Sequence, residues 1–186
     1  NGEHIFSNEK LSILTVGRLV PVKKFDKLIE SIFFINDINL ILKIVGDGPM
    51  LDSLHSQIKD LGVDNKVQLV GRLGRDDVQK IMRCSDVFVL IGMEVFGLVY
   101  IEAMMPGCIV VGTRGGGIDG IIIDGENGFL CNHGDAQQLS EILMKISKMS
   151  LEEKKEISNR AISTASKYSD TLVAKRYLKE ITSVSV

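Results

Sequence analysis

The most informative stretch of the sequence is Val87-Phe-Val-Leu-Ile-Gly-Met-Glu-Val-Phe-Gly-Leu-Val-Tyr-Ile-Glu102. It begins with an apolar run of strand length, passes through a glycine-containing loop and continues into a helical pattern. Such a loop favours an anion, because the free N–H groups of the helix N-terminus point into it. Glu94 and Glu102 flank the Phe-Gly turn, which suggests a ligand that carries hydroxyl groups as well as negative charge.

Strand and helix patterns alternate on both sides of this stretch. Short apolar runs predict strands at residues 11–16, 40–45, 67–70, 87–91 and 109–111, with a sixth at 121–123 or 128–130. Helical spacing predicts helices at 25–35, 51–61, 76–83, 98–105, 136–149, 151–167 and 171–181. Continuously apolar strands are typical of parallel sheets that are covered on both faces. We therefore predict an α/β fold: a Rossmann-like, doubly wound parallel sheet of about six strands.

Charged and glycine-rich segments follow the predicted strands. They are Gly17-Arg18, Gly46-Asp47-Gly48, Gly71-Arg72, Glu94 and Gly115-Gly116-Gly117. Ligands of open α/β sheets bind beyond the carboxyl ends of the strands, so we expect these segments to share one edge. The sequence shows no internal repeat or linker, which predicts a single domain over residues 1–186.

Composition limits the location of the protein and its partners. The net charge of −2 over 186 residues argues against a nucleic-acid-binding surface. No apolar run reaches the roughly 20 residues that span a bilayer, and the polar start of the chain does not resemble a signal peptide. Cys84, Cys108 and Cys131 are dispersed, which predicts free, buried thiols in a reducing compartment. We therefore expect a cytoplasmic protein without a transmembrane segment, and the spacing of His and Cys residues predicts no metal site.

Cationic residues follow the first predicted strand. Gly17 and Arg18 come directly after it, and Lys23 precedes the next predicted helix. An arginine fork and a lysine charge can together neutralise a diphosphate without a metal ion. The alternative is a solvated loop with ordinary surface charges.

The two acids of the opening stretch suggest a sugar. With Glu94 in the loop and Glu102 inside the helix, both can face one cleft and accept hydrogen bonds from vicinal hydroxyl groups. A phosphorylated sugar or a nucleotide-sugar has the required groups. The alternative is that Glu94 caps the helix that follows it.

Three further motifs are weaker. Gly46-Asp47-Gly48-Pro49 lacks the third glycine of a dinucleotide fingerprint, which favours a tight turn before a helix. The triplet Gly115-Gly116-Gly117 either lets the backbone approach a ligand or forms a flexible loop. Residues 124–128 have the composition of a turn before a strand.

Taken in order, the motifs resemble a known family. They are Val16-Gly-Arg-Leu with Lys23, Val45-Gly-Asp-Gly-Pro, Val70-Gly-Arg, Glu94-x-Phe-Gly-Leu-Val-x-Ile-Glu102-Ala-Met, Gly115-Gly-Gly-Ile and Asp124-Gly-Glu-Asn-Gly-Phe-Leu. The set resembles the C-terminal, donor-binding domain of retaining GT-B glycosyltransferases of family 4, glycosyl transferases group 1. The resemblance covers residues 11–146.

The resemblance implies the architecture and the partners. A GT-B enzyme has two Rossmann-like domains, so this chain would be one half of the fold, without the N-terminal acceptor domain, and inactive by itself. The donor would be a UDP- or GDP-sugar, used without a cofactor or a metal ion. The acceptor would be a glycan or lipid-linked glycan in surface polysaccharide or glycan biosynthesis. The full-length enzyme would be cytoplasmic, with a peripheral place at the inner membrane face as an option.

The resemblance also implies residue roles. Arg18 and Lys23 would hold the diphosphate, and together with Glu94 they are the catalytic candidates. Glu94 would contact the donor sugar, and Glu102 would bind the ribose hydroxyls. The remaining donor-binding candidates are Gly17, Arg72, Leu73, Phe96, Gly97, Leu98 and Val99, with Arg72 and Leu73 beside the nucleobase.

Several positions depart from the family pattern. Lys24 and Val95 stand where Gly is frequent, Ile91-Gly92 replaces Pro-Ser, and Asp119-Gly120 replaces Pro-Glu. These departures bear on sugar specificity more than on the fold. One alternative interpretation is an oxidoreductase-type dinucleotide domain, but Gly17-Arg18-Leu19-Val20 lacks the G-x-G-x-x-G motif that it requires after the first strand. The others are a non-catalytic module that binds a sugar-nucleotide or dinucleotide, and a domain similar to a sugar-nucleotide epimerase.

Overall fold

The structure, a computed structural model, describes residues 4–6, 9–94 and 97–183, with side chains as far as Tyr168. The strands are β1 Leu11–Val16, β2 Leu40–Val45, β3 Val67–Gly71, β4 Val87–Val89, β5 Ile109–Thr113 and β6 Phe129–Cys131. The helices are α1 Phe25–Phe33, α2 Leu51–Asp60, α3 Arg75–Arg83, α4 Leu98–Met104, α5 Ala136–Lys148 and α6 Leu151–Ser183, with a short 3-10 helix at Pro21–Lys23. None of the described helices is long and apolar enough to cross a membrane.

The strands form one parallel sheet in the order β3-β2-β1-β4-β5-β6. The chain builds outward from β1 to β3 and then crosses back to place β4 on the other side of β1. Strand order therefore reverses between β1 and β4, where Ile13 pairs with Val87 and Leu14 with Phe88. A crevice opens beyond the carboxyl ends of two such strands.

Helices cover both faces of the sheet. One hydrophobic cluster joins the strands to α1, α2 and α5, and the other joins them to α3, α4 and the middle of α6. Within β4, Val87 and Val89 belong to the first cluster and Phe88 to the second. Alternate side chains of one strand are thus buried in different clusters, which explains the continuous apolar run. The Rossmann-like, doubly wound fold expected from the sequence is confirmed.

Some element boundaries differ from the expectation. The fourth strand ends at Val89 instead of residue 91, because the chain turns out of the sheet there. The sixth strand is Phe129–Cys131, whereas residues 121–123 form an irregular turn that buries Ile122. The two helices predicted after residue 150 are one continuous helix, α6.

Candidate functional site

A charged pair joins the ends of β1 and β4 at the point where strand order reverses. The Lys23 ammonium lies 2.6 Å from Glu94 Oε2 and also donates to the Met93 carbonyl at 2.9 Å. The two side chains are 18% and 25% exposed, so the pair is largely shielded yet still reachable from the crevice. Lys23 is the last residue of the 3-10 helix after β1, and Glu94 lies in the loop between β4 and α4.

The two loops approach each other so closely that only glycine fits at residue 92. A Cβ atom on Gly92 would overlap the backbone of Lys23. The next residue ties the loops together, since the Met93 N–H donates to the Val22 carbonyl at 2.9 Å. Gly92, which departs from the family pattern, therefore permits the close approach of the two loops that carry Lys23 and Glu94.

The triplet Gly115-Gly116-Gly117 supports the same loop. The Gly117 N–H donates to the Glu94 carbonyl at 3.1 Å, and a Cβ on Gly97 would lie 3.1 Å from the Gly117 carbonyl oxygen. The triplet thus packs closely against a neighbouring loop, and its proposed approach to a ligand stays a prediction. The Gly115 N–H donates to the Asp119 carboxylate at 2.5 Å, which closes the turn.

The Gly46-Asp47-Gly48 segment has a packing role. A Cβ on Gly46 would overlap the Gly17 carbonyl, and one on Gly48 would crowd the Leu19 backbone. The Leu19 N–H donates to the Asp47 carbonyl at 3.0 Å. Pro49 lies in the turn just before α2. The structural interpretation of this motif, favoured by the sequence, agrees with these contacts.

The remaining predicted site residues lie along the same sheet edge. Gly17 and Arg18 follow β1, and Arg72 and Leu73 follow β3. Both guanidinium groups are exposed, and neither forms an ion pair or hydrogen bond with any residue that the structure describes. Lys23 and Glu94, by contrast, are two predicted site residues whose side chains the structure brings into direct contact.

The predicted donor-binding residues on the far side of the loop belong to α4. Gly97 is the N-cap residue with φ 63°, and its left-handed backbone favours glycine. Leu98 and Val99 form the first turn and are half-buried, as is Glu102 further along the helix. Phe96 and Val95 lie outside the described residues. The N-cap residue is a glycine and makes no side-chain hydrogen bond, so the alternative in which Glu94 caps this helix stays open.

Lys24 has the only positive φ of a non-glycine residue in the described part of the chain, at 58°. This conformation explains why Gly is frequent at the corresponding position of the family. A Cβ on Gly134 would lie within 3.4–3.7 Å of the Lys24 side-chain carbons. The aliphatic part of the Lys24 side chain therefore lies against the loop after β6.

Sequence reasoning missed two buried hydroxyl groups behind the Glu94 loop. Tyr100 donates to the Leu90 carbonyl at 2.6 Å, and Thr113 donates to the Gly92 carbonyl at 2.8 Å. Both side chains are almost fully buried. The one available signal was a tyrosine in an otherwise apolar helix face.

The thiols differ from the expectation at one position. All three cysteines are free, as predicted, but Cys84 is exposed and only Cys108 and Cys131 are buried. Burial raises the pKa of both buried thiols to about 12, which makes them unreactive. No group of three or more His, Cys, Asp or Glu residues in the described part of the chain is arranged to hold a metal ion.

A cavity of about 420 Å³ lies at the opposite edge of the sheet, beside the start of β1 and the ends of α1 and α5. It is lined by residues such as Leu11, Phe34, Asn39 and Lys148 and contains no predicted site residue. We place the functional site at the open crevice instead, because ligands of open α/β sheets bind beyond the carboxyl ends of the strands.

Comparison with known proteins shows the family of the chain. The family model "Glycosyl transferases group 1" matches residues 2–164. The lipopolysaccharide core biosynthesis glycosyltransferase LpsE of Rhizobium meliloti is 35% identical over 72% of this chain and 38% of its own length. The N-acetyl-alpha-D-glucosaminyl L-malate synthase of Bacillus anthracis is 28% identical over 78% of this chain and 38% of its own length.

A solved structure shows the same fold. The crystal structure of Anabaena HepE in complex with UDP and glucose matches with a TM-score of 0.80 at 28% identity, over 95% of this chain and 49% of HepE. The chain thus spans less than half the length of each of these three relatives. Because the family match extends over most of the sequence, the chain belongs to the glycosyl transferases group 1 family.

Proposed function

We propose that this chain is the donor-binding domain of a retaining, family 4 glycosyltransferase that takes a nucleotide-sugar. The observation that carries the proposal is the contact between Lys23 and Glu94 at the reversal of strand order. It places a cation and a hydrogen-bond acceptor side by side, as the junction between a diphosphate and a sugar requires.

Each member of the pair has capacity left for a ligand. Glu94 uses Oε2 for Lys23, and its Oε1 has no hydrogen-bond partner among the described residues, so it can accept from a sugar hydroxyl. The exposed Arg18 would add a second positive charge and a planar fork for the phosphate oxygens. Arg72 and Leu73 would lie beside the nucleobase, and Glu102 would accept hydrogen bonds from the ribose. The backbone from Gly97 to Val99 would line the sugar side.

The reaction follows from these charges. As the bond between the sugar and the diphosphate breaks, negative charge grows on the leaving group, and Arg18 and Lys23 would stabilise it. Attack by the acceptor from the leaving-group face would retain the configuration at the sugar carbon. Two phosphate-binding cations make the proposed mechanism independent of a metal ion.

We assign the acceptor to an N-terminal domain of the whole enzyme, so that residues 1–186 bind the donor without transferring the sugar. The names of two relatives support the proposed donor and pathway in outline, since LpsE is a lipopolysaccharide core biosynthesis glycosyltransferase and HepE was solved with UDP and glucose. We therefore propose a cytoplasmic role in the assembly of a surface polysaccharide or a related glycan. UDP is the first nucleotide to test.

Calorimetric titration of the chain with UDP, GDP, ADP and NAD, each with and without EDTA, tests the proposal. We expect saturable binding of one nucleoside diphosphate, unchanged by EDTA. Arg18→Ala should weaken that binding by about tenfold or more, the loss expected for one charge-assisted hydrogen bond. Arg83→Ala, at the far end of α3, serves as the control. Preference for NAD, or binding of none of these nucleotides, would contradict the proposal.

A further inference from the structure

The backbone between β4 and Glu94 leaves the sheet but stays buried. Leu90 and Ile91 are 2% and 1% exposed, and Gly92 is also buried. The pairing of β4 with β5 ends at Val89 and Val111, so the carbonyl groups of the next three residues no longer face a ladder partner. A buried carbonyl without a donor costs free energy, so these groups need donors from elsewhere in the fold.

Three other elements supply the donors. The Tyr100 hydroxyl of α4 donates to the Leu90 carbonyl at 2.6 Å, and the Gly134 N–H after β6 donates to the Ile91 carbonyl at 3.0 Å. The Thr113 hydroxyl at the end of β5 donates to the Gly92 carbonyl at 2.8 Å, with a longer contact of 3.3 Å to Leu90. Each carbonyl on the path to the site is therefore held in place.

The phenol of Tyr100 is unusual in its surroundings. Its ring packs edge-on against Phe88, with centroids 5.9 Å apart, inside the apolar cluster of α3, α4 and α6. Burial raises the pKa of the Tyr100 hydroxyl, so it remains a neutral donor throughout the physiological range. A phenylalanine would fill the same space but would leave the Leu90 carbonyl without this donor.

We propose that Tyr100 and Thr113 are positioning residues for the donor sugar, because their hydroxyl groups fix the backbone at Leu90 and Gly92 and thereby set the position of Glu94. This inference rests on the proposed function, in which Glu94 contacts the sugar. Gly92 is only two residues from Glu94, and the intervening Met93 is hydrogen-bonded to Val22. A shift of the Gly92 carbonyl would therefore be transmitted directly to the Lys23–Glu94 pair.

The variants Tyr100→Phe and Thr113→Val remove one hydroxyl each and keep the side-chain shape. For each variant, the affinity for UDP-glucose is compared with the affinity for UDP. If GDP is the preferred nucleotide, GDP-mannose and GDP are compared instead. We expect affinity for the nucleotide-sugar to fall about three- to tenfold, the effect of one lost hydrogen bond, with a smaller change for the free nucleotide. Thr113→Ser keeps the hydroxyl group and should have the wild-type ratio of nucleotide-sugar affinity to free-nucleotide affinity. Tyr168→Phe, on the exposed part of α6, is the matched control for Tyr100→Phe.

Two outcomes would overturn the positioning role. One is an unchanged affinity for the nucleotide-sugar in both folded variants, and the other is an equal loss for the sugar-bearing and the free nucleotide. Amide chemical shifts of the ligand-free protein give a second, independent test: the Glu94 resonance should move in Tyr100→Phe but stay in Tyr168→Phe. If the wild-type chain binds no nucleotide, the proposed function fails, and the amide shifts alone decide the positioning role.

Discussion

At the scale of single residues, the Lys23–Glu94 pair combines two requirements. It is shielded enough for its charges to interact strongly and open enough to meet a ligand. The pair Lys27–Glu30 on α1 has a similar distance, 2.7 Å, but is 41% and 34% exposed. An exposed ion pair of this kind contributes little to stability. A variant of Lys27 therefore shows the effect of removing a lysine charge away from the site, and a variant of Lys23 shows the effect at the site.

We predict that Lys23→Met and Glu94→Gln each lower affinity for the donor by about tenfold or more, since each removes a charge-assisted contact. The double variant should lose less than the sum of the two single losses, because the residues act as a unit. Titration calorimetry measures all three variants, with Lys27→Met as the control. Additive losses, or an equal loss in Lys27→Met, would show that the pair has no joint role in binding.

At the scale of elements, the site depends on two loops that pack backbone against backbone. The 3-10 helix after β1 lies against the loop after β4, and Gly92 is the point of contact. The hydroxyl groups of Tyr100 and Thr113 hold this loop from behind. The position of Glu94 is therefore set by the packing of several elements and not by its own loop alone.

Gly92→Ala should separate the two loops. Its methyl group would meet the rigid backbone of Lys23, so we expect a loss of about 1–3 kcal/mol in the free energy of unfolding, as for other overpacked sites. Binding of the donor should be lost as well. Gly74→Ala is the matched control for stability, because its φ is −70° and no atom lies within 4 Å of the added Cβ. If urea unfolding gave the same free energy of unfolding for Gly92→Ala and Gly74→Ala, the close contact between residue 92 and the Lys23 backbone would be contradicted.

At the scale of the whole molecule, His4 contacts the connection between α4 and β5. His4 is 6% exposed, its ring lies 4.6 Å from Phe6, and Nδ1 is 3.1 Å from the Pro106 carbonyl oxygen. Burial lowers the pKa of His4 from 6.5, and the Pro106 carbonyl and the Asp86 carboxylate oppose this effect. The folded protein therefore favours neutral His4.

The preference of the folded protein for neutral His4 makes the free energy of unfolding decrease as the pH is lowered. Below pH 6.5 the unfolded chain takes up a proton at His4 more readily than the folded chain, so the contribution of His4 is present above 6.5 and is lost as the pH falls through the folded pKa. We expect the free energy of unfolding to drop between about pH 7.5 and pH 5.5, and to drop less in His4→Gln. Urea titrations at both values measure it, with His55→Gln, on the exposed side of α2, as the control. The same pH dependence in wild type and His4→Gln would exclude this role for His4.

Much of the fold was readable from local patterns. The apolar runs at β1, β2 and β4 predicted strands buried on both faces. Charged and glycine-rich segments after the first five strands predicted one functional edge. The limits appeared where local signals were ambiguous. The apolar residues 121–123 fit a strand as well as Phe129–Cys131 does, and only sheet pairing with β5 selects the latter. The single long helix α6 likewise overrides a weak local break near residue 170.

The strand–helix alternation, the family and the residue types at the site could be read from the amino-acid sequence, because periodicity and motifs depend on neighbours along the chain. Which of those residues meet depends on the packing of the folded chain. Lys23 and Glu94 are 71 residues apart, and their contact requires that β4 lie next to β1 and that Gly92 admit the Lys23 backbone. The donors to Leu90 and Gly92 likewise come from α4 and β5. Strand order and backbone packing set these contacts, and neither is encoded in any short segment of the chain.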